Sequence, residues 1–222
     1  MLYLAQSFLN KTEQKELRKE LLMCSRWDDG VNTAVGSTKL IKKNLQLTNG
    51  KTYDKYSNYI INELKSNIAI ENNVFPSDVF GILFTRTGVG MFYGPHVDLE
   101  VDSDKRRDLS FTIFLNDKDE YKGGELILYI PPESRSIKLN AGDIIIYPTK
   151  YLHEVKEVTE GERMVCVGWI QSQIIRDDDR EILSMLKQSL GDIDNIPNFK
   201  LSSKLNIISA INRLHKRFKS QS

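Results

Sequence analysis

Two histidines and one aspartate stand at positions from which they could hold a metal ion together. His96 and Asp98 form an H-x-D pair after a glycine-rich turn, and His153 opens a later strand-like segment. Residues two apart on a strand project from the same face, so the imidazole and the carboxylate of the pair can reach one point. Two imidazoles and one carboxylate with open positions are the ligand set of non-haem Fe(II) oxygenases. The open positions can accept a 2-oxo acid as a chelate and dioxygen.

One arginine follows this set at a useful spacing. Arg163 lies ten positions after His153, at the start of the apolar strand RMVCVGWI. If the sheet curls into a barrel, this strand can direct a guanidinium into the same interior. A planar guanidinium pairs bidentately with a carboxylate, which suits the distal carboxylate of 2-oxoglutarate. Arg86 and Arg176 are the next candidates, should Arg163 instead form a surface ion pair with Glu162.

Structural interpretations compete with each of these assignments. An H-x-D pair alone is a weak signal in a chain with many aspartates, and His153 could simply bond to nearby backbone at a strand start. The three aspartates at 177–179 resemble a metal cluster, but consecutive carboxylates do not converge on one point. We expect them to cap the helix that follows. The combination of H-x-D, a distant histidine and Arg163 favours the metal site.

The surrounding sequence predicts a β core between helices. After Pro76, short runs rich in Val, Ile, Phe and Thr alternate with turns built from Gly, Pro, Asn or Asp. About seven such runs without intervening helices predict an antiparallel sandwich or barrel. Helical periodicity precedes these runs and returns after them. We therefore divide the chain into an N-terminal helical flank (1–75), a β core (76–175) and a C-terminal helical extension (176–222), all within one structural domain.

Composition describes an ordinary globular chain. The 222 residues are 40% hydrophobic and 27% charged, with a net charge of +1, so global charge gives no indication of a nucleic-acid or membrane partner. Cys24 and Cys166 lie in apolar surroundings, which favours buried free thiols and a reducing cytoplasm. The N-terminus lacks the pattern of a signal peptide, and no apolar run is long enough to span a bilayer. We expect a cytoplasmic protein.

The last segment carries an apolar stripe and a basic face. After Asp194 there are no acidic residues and six lysines and arginines. The apolar stripe consists of Leu205, Ile208, Ile211, Leu214 and Phe218. Such a helix could dock an acidic partner, a membrane surface or nucleic acid. We favour packing of the stripe on the β core or the N-terminal helices, with the lysines in water.

The stretch from about Trp27 to Asp178 resembles the PKHD-type hydroxylases, bacterial and viral relatives of the prolyl 4-hydroxylase catalytic domain. The segments that carry the resemblance are VNTAVGSTKLIKKNLQL, HVD, RDLSFTIFLND-x-x-x-YKGGELIL, SIKLNAGDIIIYPTKYLHEVKEVTEGER and WIQSQIIRDD. The resemblance implies a double-stranded β-helix (jelly-roll) fold, Fe(2+) bound by the triad His96, Asp98 and His153, and 2-oxoglutarate bound through Arg163. It also implies L-ascorbate as a reductant for iron that has become oxidised.

Two places depart from the pattern of these relatives. Thr87 stands where relatives often carry a tyrosine whose hydroxyl helps to hold the oxo acid, so the smaller hydroxyl must make this contact or leave it to another group. The loop LEVDSDKRR after Asp98 is strongly charged, and loops at this place shape the substrate site. Tyr147 and Trp169 can line the cofactor pocket or pack inside the barrel.

The sequence thus predicts an Fe(II)- and 2-oxoglutarate-dependent dioxygenase that hydroxylates a substrate with O2 and converts 2-oxoglutarate to succinate and CO2. The substrate could be a peptidyl or free amino acid or another small molecule, and the oligomeric state stays open. The alternative is a non-catalytic jelly-roll module that holds a structural metal or none. Halogenation needs a halide in place of the carboxylate ligand, whereas Asp98 is present. A nucleic-acid demethylase would share the ligand set, but no base-stacking insert or second arginine motif supports it.

Overall fold

The helices stand before and after a β-rich middle of the chain, as the sequence predicted. The structure is a computed structural model that describes residues 4–102 and 104–219. Its helices are α1 (Lys11–Leu22), α2 (Lys51–Ser66), α3 (Ile68–Val74), α4 (Asp177–Asp194) and α5 (Leu201–Lys219). Short 3-10 segments cover Gly30–Thr33 and Gly36–Ile41.

The strands begin earlier in the chain than the sequence indicated. In chain order they are β1 (Leu4–Ser7), β2 (Asp28–Asp29), β3 (Lys42–Lys43), β4 (Leu45–Leu47), β5 (Pro76–Thr87), β6 (Phe92–His96), β7 (Val101–Asp102), β8 (Lys105–Arg106), β9 (Leu109–Phe114), β10 (Tyr121–Gly123), β11 (Leu126–Ile130), β12 (Glu133–Ile137), β13 (Asp143–Pro148), β14 (Leu152–Val155), β15 (Val158–Gly161) and β16 (Arg163–Ser172). Strands β1 to β4 fall in the segment expected to be a helical flank, so that expectation was incomplete. Each is only two to four residues long, which is too short for alternation to show.

Two antiparallel sheets form the core of the described structure. The larger sheet has the strand order β1-β13-β9-β16-β5-β4-β2, and the smaller has the order β12-β11-β14-β6-β3. Apart from the β11–β12 hairpin, neighbours in these orders are far apart in the chain, as in a jelly roll. The short segment between β3 and β4 crosses from the smaller sheet to the larger one.

Alternation along β13 shows how the larger sheet separates two apolar layers. Ile145 and Tyr147 pack with Leu128 of the smaller sheet, between the two sheets. Ile144 and Ile146 project to the opposite face and join the cluster formed with the helices. Because side chains alternate across a strand, one apolar run thus supplies both layers.

Helices α1, α2 and α3 cover the outer face of the larger sheet. Their buried apolar residues in this layer are Leu17, Leu21, Tyr56, Ile60, Leu64, Ile70 and Val74. Strand β9 lies between this layer and the smaller sheet and is buried at every position. Burial on both faces explains why its sequence, LSFTIF, lacks a clean apolar–polar alternation.

Asn10 is the N-cap of α1. Its side-chain oxygen accepts hydrogen bonds from the backbone N–H groups of Thr12 (2.9 Å) and Glu13 (3.0 Å). The Glu13 carboxylate in turn accepts one from the Asn10 backbone N–H (2.8 Å). This reciprocal arrangement is a capping box, which satisfies donors that the first turn would otherwise leave free.

The C-terminal helices pack on each other and on the start of the β core. Ile211 of α5 is buried with Leu183 of α4, Phe75 and Ile174, and Leu214 and Phe218 pack against the same cluster. The buried part of the apolar stripe therefore packs on α4 and on Phe75 and Ile174, and α4 was not among the partners that we expected. Leu205 lies outside the contact and is 54% exposed. No helix within the described ranges is long and apolar enough to cross a membrane.

The aspartates at 177–179 belong to a helix, and the two cysteines form no disulfide. The aspartates occupy the first turn of α4, where they oppose the helix dipole, but the N-cap itself is Arg176, which makes no side-chain cap hydrogen bond. The expectation that an aspartate caps α4 was therefore wrong. Cys24 and Cys166 are free thiols, half-buried and buried respectively.

Candidate metal centre

His96 and His153 meet across two neighbouring strands of the smaller sheet. They are directly opposite in the register of β6 and β14, and their ring centroids are 4.2 Å apart. Strand β6 ends at His96, so Asp98 lies in the loop that follows rather than on the same strand face as the sequence suggested. The carboxylate reaches the histidines because the chain turns there, not because of strand alternation.

The larger sheet holds Asp98 in position. Ser110 Oγ on β9 and Trp169 Nε1 on β16 both donate to Asp98 Oδ2, at 3.0 Å and 2.9 Å. The carboxylate lies 3.7 Å from His96 Nε2 through Oδ1 and 3.8 Å from His153 Nε2 through Oδ2. The ligand atoms of the three residues lie within 4.8 Å of one another. The structure therefore brings the sequence-predicted triad together.

Backbone carbonyls fix the tautomer of both histidines. His96 Nδ1 lies 2.9 Å from the Gly94 carbonyl oxygen, and His153 Nδ1 lies 2.9 Å from the Tyr151 carbonyl oxygen. A carbonyl can only accept, so each Nδ1 carries the proton and each Nε2 lone pair faces Asp98. This second contact is typical of metal-binding histidines.

Burial sets the charge of the triad. It lowers the pKa of His96 to about 4, with the neighbouring His153 as a further cause, so the His96 imidazole is neutral near pH 7. Burial alone would raise the pKa of Asp98, but the two histidines and the hydrogen bonds from Trp169 and Ser110 hold that pKa below its usual range. Neutral imidazole and ionised carboxylate are the forms that bind a divalent cation. The donor set fits Fe(2+).

Two tyrosines and a glycine support the geometry. Tyr93 stacks on His96 with centroids 3.6 Å apart and planes at 16°, and Tyr147 packs edge-on against His153 at 5.5 Å. Gly81 has φ +65°, and a Cβ there would lie 2.5 Å from the Trp169 ring. Glycine is thus required for the indole to reach Asp98.

Arg163 is a buried guanidinium without a protein carboxylate. It is 3% exposed, stands over the Phe114 ring at 5.5 Å, and its Nε has no hydrogen-bond partner. Within the described ranges, no carboxylate oxygen lies within 4.0 Å of it. Burial lowers the pKa of Arg163, and neighbouring Tyr121 and Tyr147 oppose this effect. A cation buried in this way is suited to bind an anion that enters the cavity.

The competing arginines are already paired. Arg86 donates to both oxygens of Glu162 at 2.7–3.0 Å, so the surface partner proposed for Arg163 is occupied by another residue. Arg176 is exposed and pairs with Asp178 at 2.7 Å. Neither lines the cavity that contains the triad.

One cavity of about 530 Å³ joins the triad to Arg163. Thr87, directly opposite Arg163 in the register of β5 and β16, and Tyr147 both line it, as does Trp169. The sequence did not predict the contact of Trp169 with Asp98 or the role of Ser110. The only available signal for Ser110 was a hydroxyl in the middle of an apolar run.

Comparisons with known proteins agree with this geometry. The profile of the 2OG-Fe(II) oxygenase superfamily matches residues 82–171. A PKHD-type hydroxylase of Prochlorococcus marinus strain MIT 9313 is 43% identical over 182 residues, covering 81% of this chain and 82% of that protein. A second, from strain MIT 9301, is 42% identical over 186 residues, covering 82% and 84%.

Solved structures share the fold at low sequence identity. A Pseudomonas putida prolyl-4-hydroxylase matches with a TM-score of 0.55 at 20% identity, over 77% of this chain and 92% of that one. A 2OG-Fe(II) oxygenase family oxidoreductase from Burkholderia pseudomallei matches with a TM-score of 0.57 at 15% identity, over 76% and 84%. Both have the jelly-roll core seen here.

Proposed function

We propose, since this chain belongs to the PKHD-type hydroxylases, that His96, Asp98 and His153 hold its iron and that Arg163 binds its 2-oxoglutarate. The protein is an Fe(II)- and 2-oxoglutarate-dependent dioxygenase, which couples hydroxylation of a substrate by O2 to conversion of 2-oxoglutarate into succinate and CO2. The observation that carries the residue assignment is the buried guanidinium, without a carboxylate partner among the described residues, in the same cavity as the converging triad.

Iron bound at the triad would supply the centre at which dioxygen is activated and a 2-oxo acid is chelated. The protein residues hold its ligands in place. Each histidine keeps its proton on Nδ1 through a backbone carbonyl, which aims Nε2 at the metal position. Trp169 and Ser110 hold Asp98 Oδ2, so the carboxylate cannot rotate away when the site exchanges its small ligands.

Arg163 acts on the far end of the cosubstrate. Its fork can donate two parallel hydrogen bonds to the distal carboxylate, and the Phe114 ring packs against its guanidinium. Thr87, across the strand pair, and Tyr147 offer hydroxyl groups to the same carboxylate. These two hydroxyl groups would replace the tyrosine that relatives often carry in the place of Thr87.

The proposal also covers the reductant, the domain organisation and the location of the protein. L-Ascorbate would return oxidised iron to Fe(II) after turnovers that hydroxylate no substrate. The helical flanks and the β core form one structural domain, which the shared clusters of α1, α2 and the larger sheet support. Two free thiols support a reducing cytoplasm as the location.

Oxygen-dependent conversion of 2-oxoglutarate tests this function. The protein, purified without oxygen and loaded with Fe(II), should form succinate from 2-oxoglutarate only when O2 is admitted, and ascorbate should prolong the reaction. Binding of iron and 2-oxoglutarate without oxygen-dependent succinate would instead indicate a non-catalytic binding module.

A further inference from the structure

One wall of the cavity is polar for a reason that iron and 2-oxoglutarate do not explain. Along the crossing segment, Lys42, Asn44 and Gln46 are buried, whereas Lys43 is exposed and Leu45 is half-buried. This alternation is that of extended chain, with every second side chain turned inward. The three inward residues line the cavity that contains the triad.

Lys42 is a buried ammonium with an incomplete set of partners. It is 7% exposed, donates to Thr33 Oγ1 at 2.7 Å, and lies 5.0 Å from the centroid of the Tyr93 ring. In the part of the chain that the structure describes, no carboxylate oxygen lies within 4.0 Å of Lys42 Nζ. An ammonium has three donors, so a buried one with a single hydroxyl acceptor is under-satisfied. Desolvation accordingly lowers its pKa to about 8.

Two neutral side chains on the same wall, Gln46 and Thr85, have hydrogen-bond donors available to a ligand. Gln46 Oε1 accepts from Thr33 Oγ1 at 2.6 Å, which leaves the Gln46 amide NH2 for an acceptor in the cavity. Thr85 pairs with Gln46 across β4 and β5, and its buried hydroxyl has no hydrogen-bond partner. A cation with an amide and a hydroxyl donor beside it is an arrangement that binds an anion.

The charges of the loaded cavity leave Lys42 without a counter-ion, a step that rests on the proposed function. Ferrous iron is a dication and 2-oxoglutarate a dianion, so they balance each other. Asp98 and Arg163 likewise carry opposite unit charges. Two positive side chains on the cavity wall then remain, Lys42 and Arg107. Arg107 stacks on Trp169 at 3.9 Å, and Lys42 Nζ has no carboxylate oxygen within 4.0 Å among the described residues. A group that neutralises Lys42 must therefore be an anion.

We propose that Lys42, with Gln46 and Thr85, forms a subsite for a carboxylate of the substrate, so that the substrate is a small carboxylic acid or a peptide C-terminus. A carboxylate fits better than a phosphate, because one ammonium with two neutral donors matches a single charge on two oxygens, whereas a phosphate carries more charge on three oxygens. The cavity volume of about 530 Å³ is in the range of small-molecule sites. The Lys42 side chain contacts the Tyr93 ring, which in turn stacks on His96 of the metal centre.

Paired probes test this subsite on the Fe(II)- and 2-oxoglutarate-loaded protein without oxygen. The common N-acetyl amino acids and the matching N-acetyl amino acid amides are titrated singly by calorimetry. At least one acid should bind, and its amide should bind about ten- to a hundredfold more weakly, because the amide lacks the charge-assisted bond. Lys42→Met should lower the affinity for the acid by a similar factor, and Lys42→Arg should retain part of that affinity.

Lys43→Met is the matched control, since Lys43 is on the same strand but faces outward. It should bind the acid like the unmodified protein. Thr85→Val keeps the shape of its side chain and should weaken the acid several-fold, so it carries the test if Lys42→Met does not fold. Equal binding of acids and amides, no binding of any acid, or a matching loss of 2-oxoglutarate affinity in Lys42→Met would overturn the subsite. Failure of the unmodified protein to form succinate in the presence of O2 would overturn the proposed function instead.

Discussion

The buried guanidinium of Arg163 gives the first prediction for a single residue. Arg163→Ala should raise the KM for 2-oxoglutarate by about a hundred- to several-thousand-fold, because a buried carboxylate left without its partner costs roughly 3–5 kcal/mol. Arg163→Lys should recover only part, since an ammonium lacks the planar fork. Titration of succinate formation against 2-oxoglutarate measures both. Arg176→Ala, which removes an exposed arginine, is the control. An unchanged KM in Arg163→Ala would move the cosubstrate site elsewhere.

Trp169 allows a test of how Asp98 is positioned. Trp169→Phe keeps an aromatic ring but removes the Nε1–H that donates to Asp98 Oδ2. Loss of such a supporting hydrogen bond lowers metal affinity by about ten- to a hundredfold. Anaerobic titration with Fe(II) gives the affinity. Trp27→Phe is the matched control, because the Trp27 indole donates to the Cys24 carbonyl and lies outside the cavity. Equal affinities in the two variants would show that Trp169 does not act through Asp98.

The protonation of Lys42 predicts a pH effect on the metal-free protein. Desolvation lowers its pKa in the folded state to about 8, opposed by Asp98 and Asp29, and the Tyr93 ring faces it. Between about pH 8 and 10.5 the unfolded chain holds a proton that the folded chain has lost, so stability attributable to Lys42 rises with pH. Relative to Lys42→Met, the free energy of unfolding should increase by on the order of 3 kcal/mol across this window.

Urea unfolding of the two proteins at pH 7.5 and pH 10 measures that difference. Lys43→Met serves as the control, because the Lys43 side chain is exposed. Its free energy of unfolding should be close to that of the unmodified protein at both pH 7.5 and pH 10. A difference that stays constant with pH would mean that Lys42 is not buried as an unpaired ammonium.

The residues of the candidate site were partly predictable from the sequence. Metal-binding residues belong to few types, and with three histidines in the chain an H-x-D pair and a distant histidine leave little choice. Lys42 and Ser110 could not be chosen in the same way. Their significance depends on which strands become neighbours, and neither residue type is diagnostic by itself. The alternating polar positions in IKKNLQL were the one available signal for Lys42.

Helix α5 carries a prediction at the scale of elements. The sequence placed Leu205 and Ile211 on one apolar stripe, but the structure buries Ile211 at 4% exposure and leaves Leu205 54% exposed. Ile211→Ala should therefore destabilise the protein by about 2–4 kcal/mol, because the substitution leaves an empty space within the contact between α4 and α5. Leu205→Ala, the control in the same helix, should change stability by roughly 0.5 kcal/mol or less. Urea unfolding decides, and equal effects would mean that α5 is not docked in this way.

The long elements followed from the sequence, and the short ones did not. Strands β9 and β16 and helix α2 bury enough consecutive or periodic positions to be recognised without a partner. Strands β3 and β4 contain two and three residues, and they are strands only because β6 and β5 supply hydrogen bonds. Tertiary pairing decides such segments, so their own sequence does not identify them as strands.

At the scale of the whole molecule, the two sheets contribute different parts of one site. The smaller sheet supplies both histidines, and the larger supplies Arg163 and the hydrogen bonds that hold Asp98. The jelly roll was predictable from the number and spacing of the strands together with a family resemblance. The way in which the N-terminal segment closes the cavity was not, because it depends on a crossing between sheets that local sequence does not encode.

Iron binding tests whether His96, Asp98 and His153 form one site beside Arg163. Under anaerobic conditions the protein should bind one Fe(II) per chain, and 2-oxoglutarate should then produce the weak visible band of a chelated Fe(II) complex. His96→Ala, Asp98→Ala and His153→Ala should each abolish most of the band, because a three-residue site has no ligand to spare. His215→Ala should keep it, since the remaining histidine packs on Phe75 between the C-terminal helices and the core. Full iron binding and an undiminished band in all three triad variants would contradict the assignment.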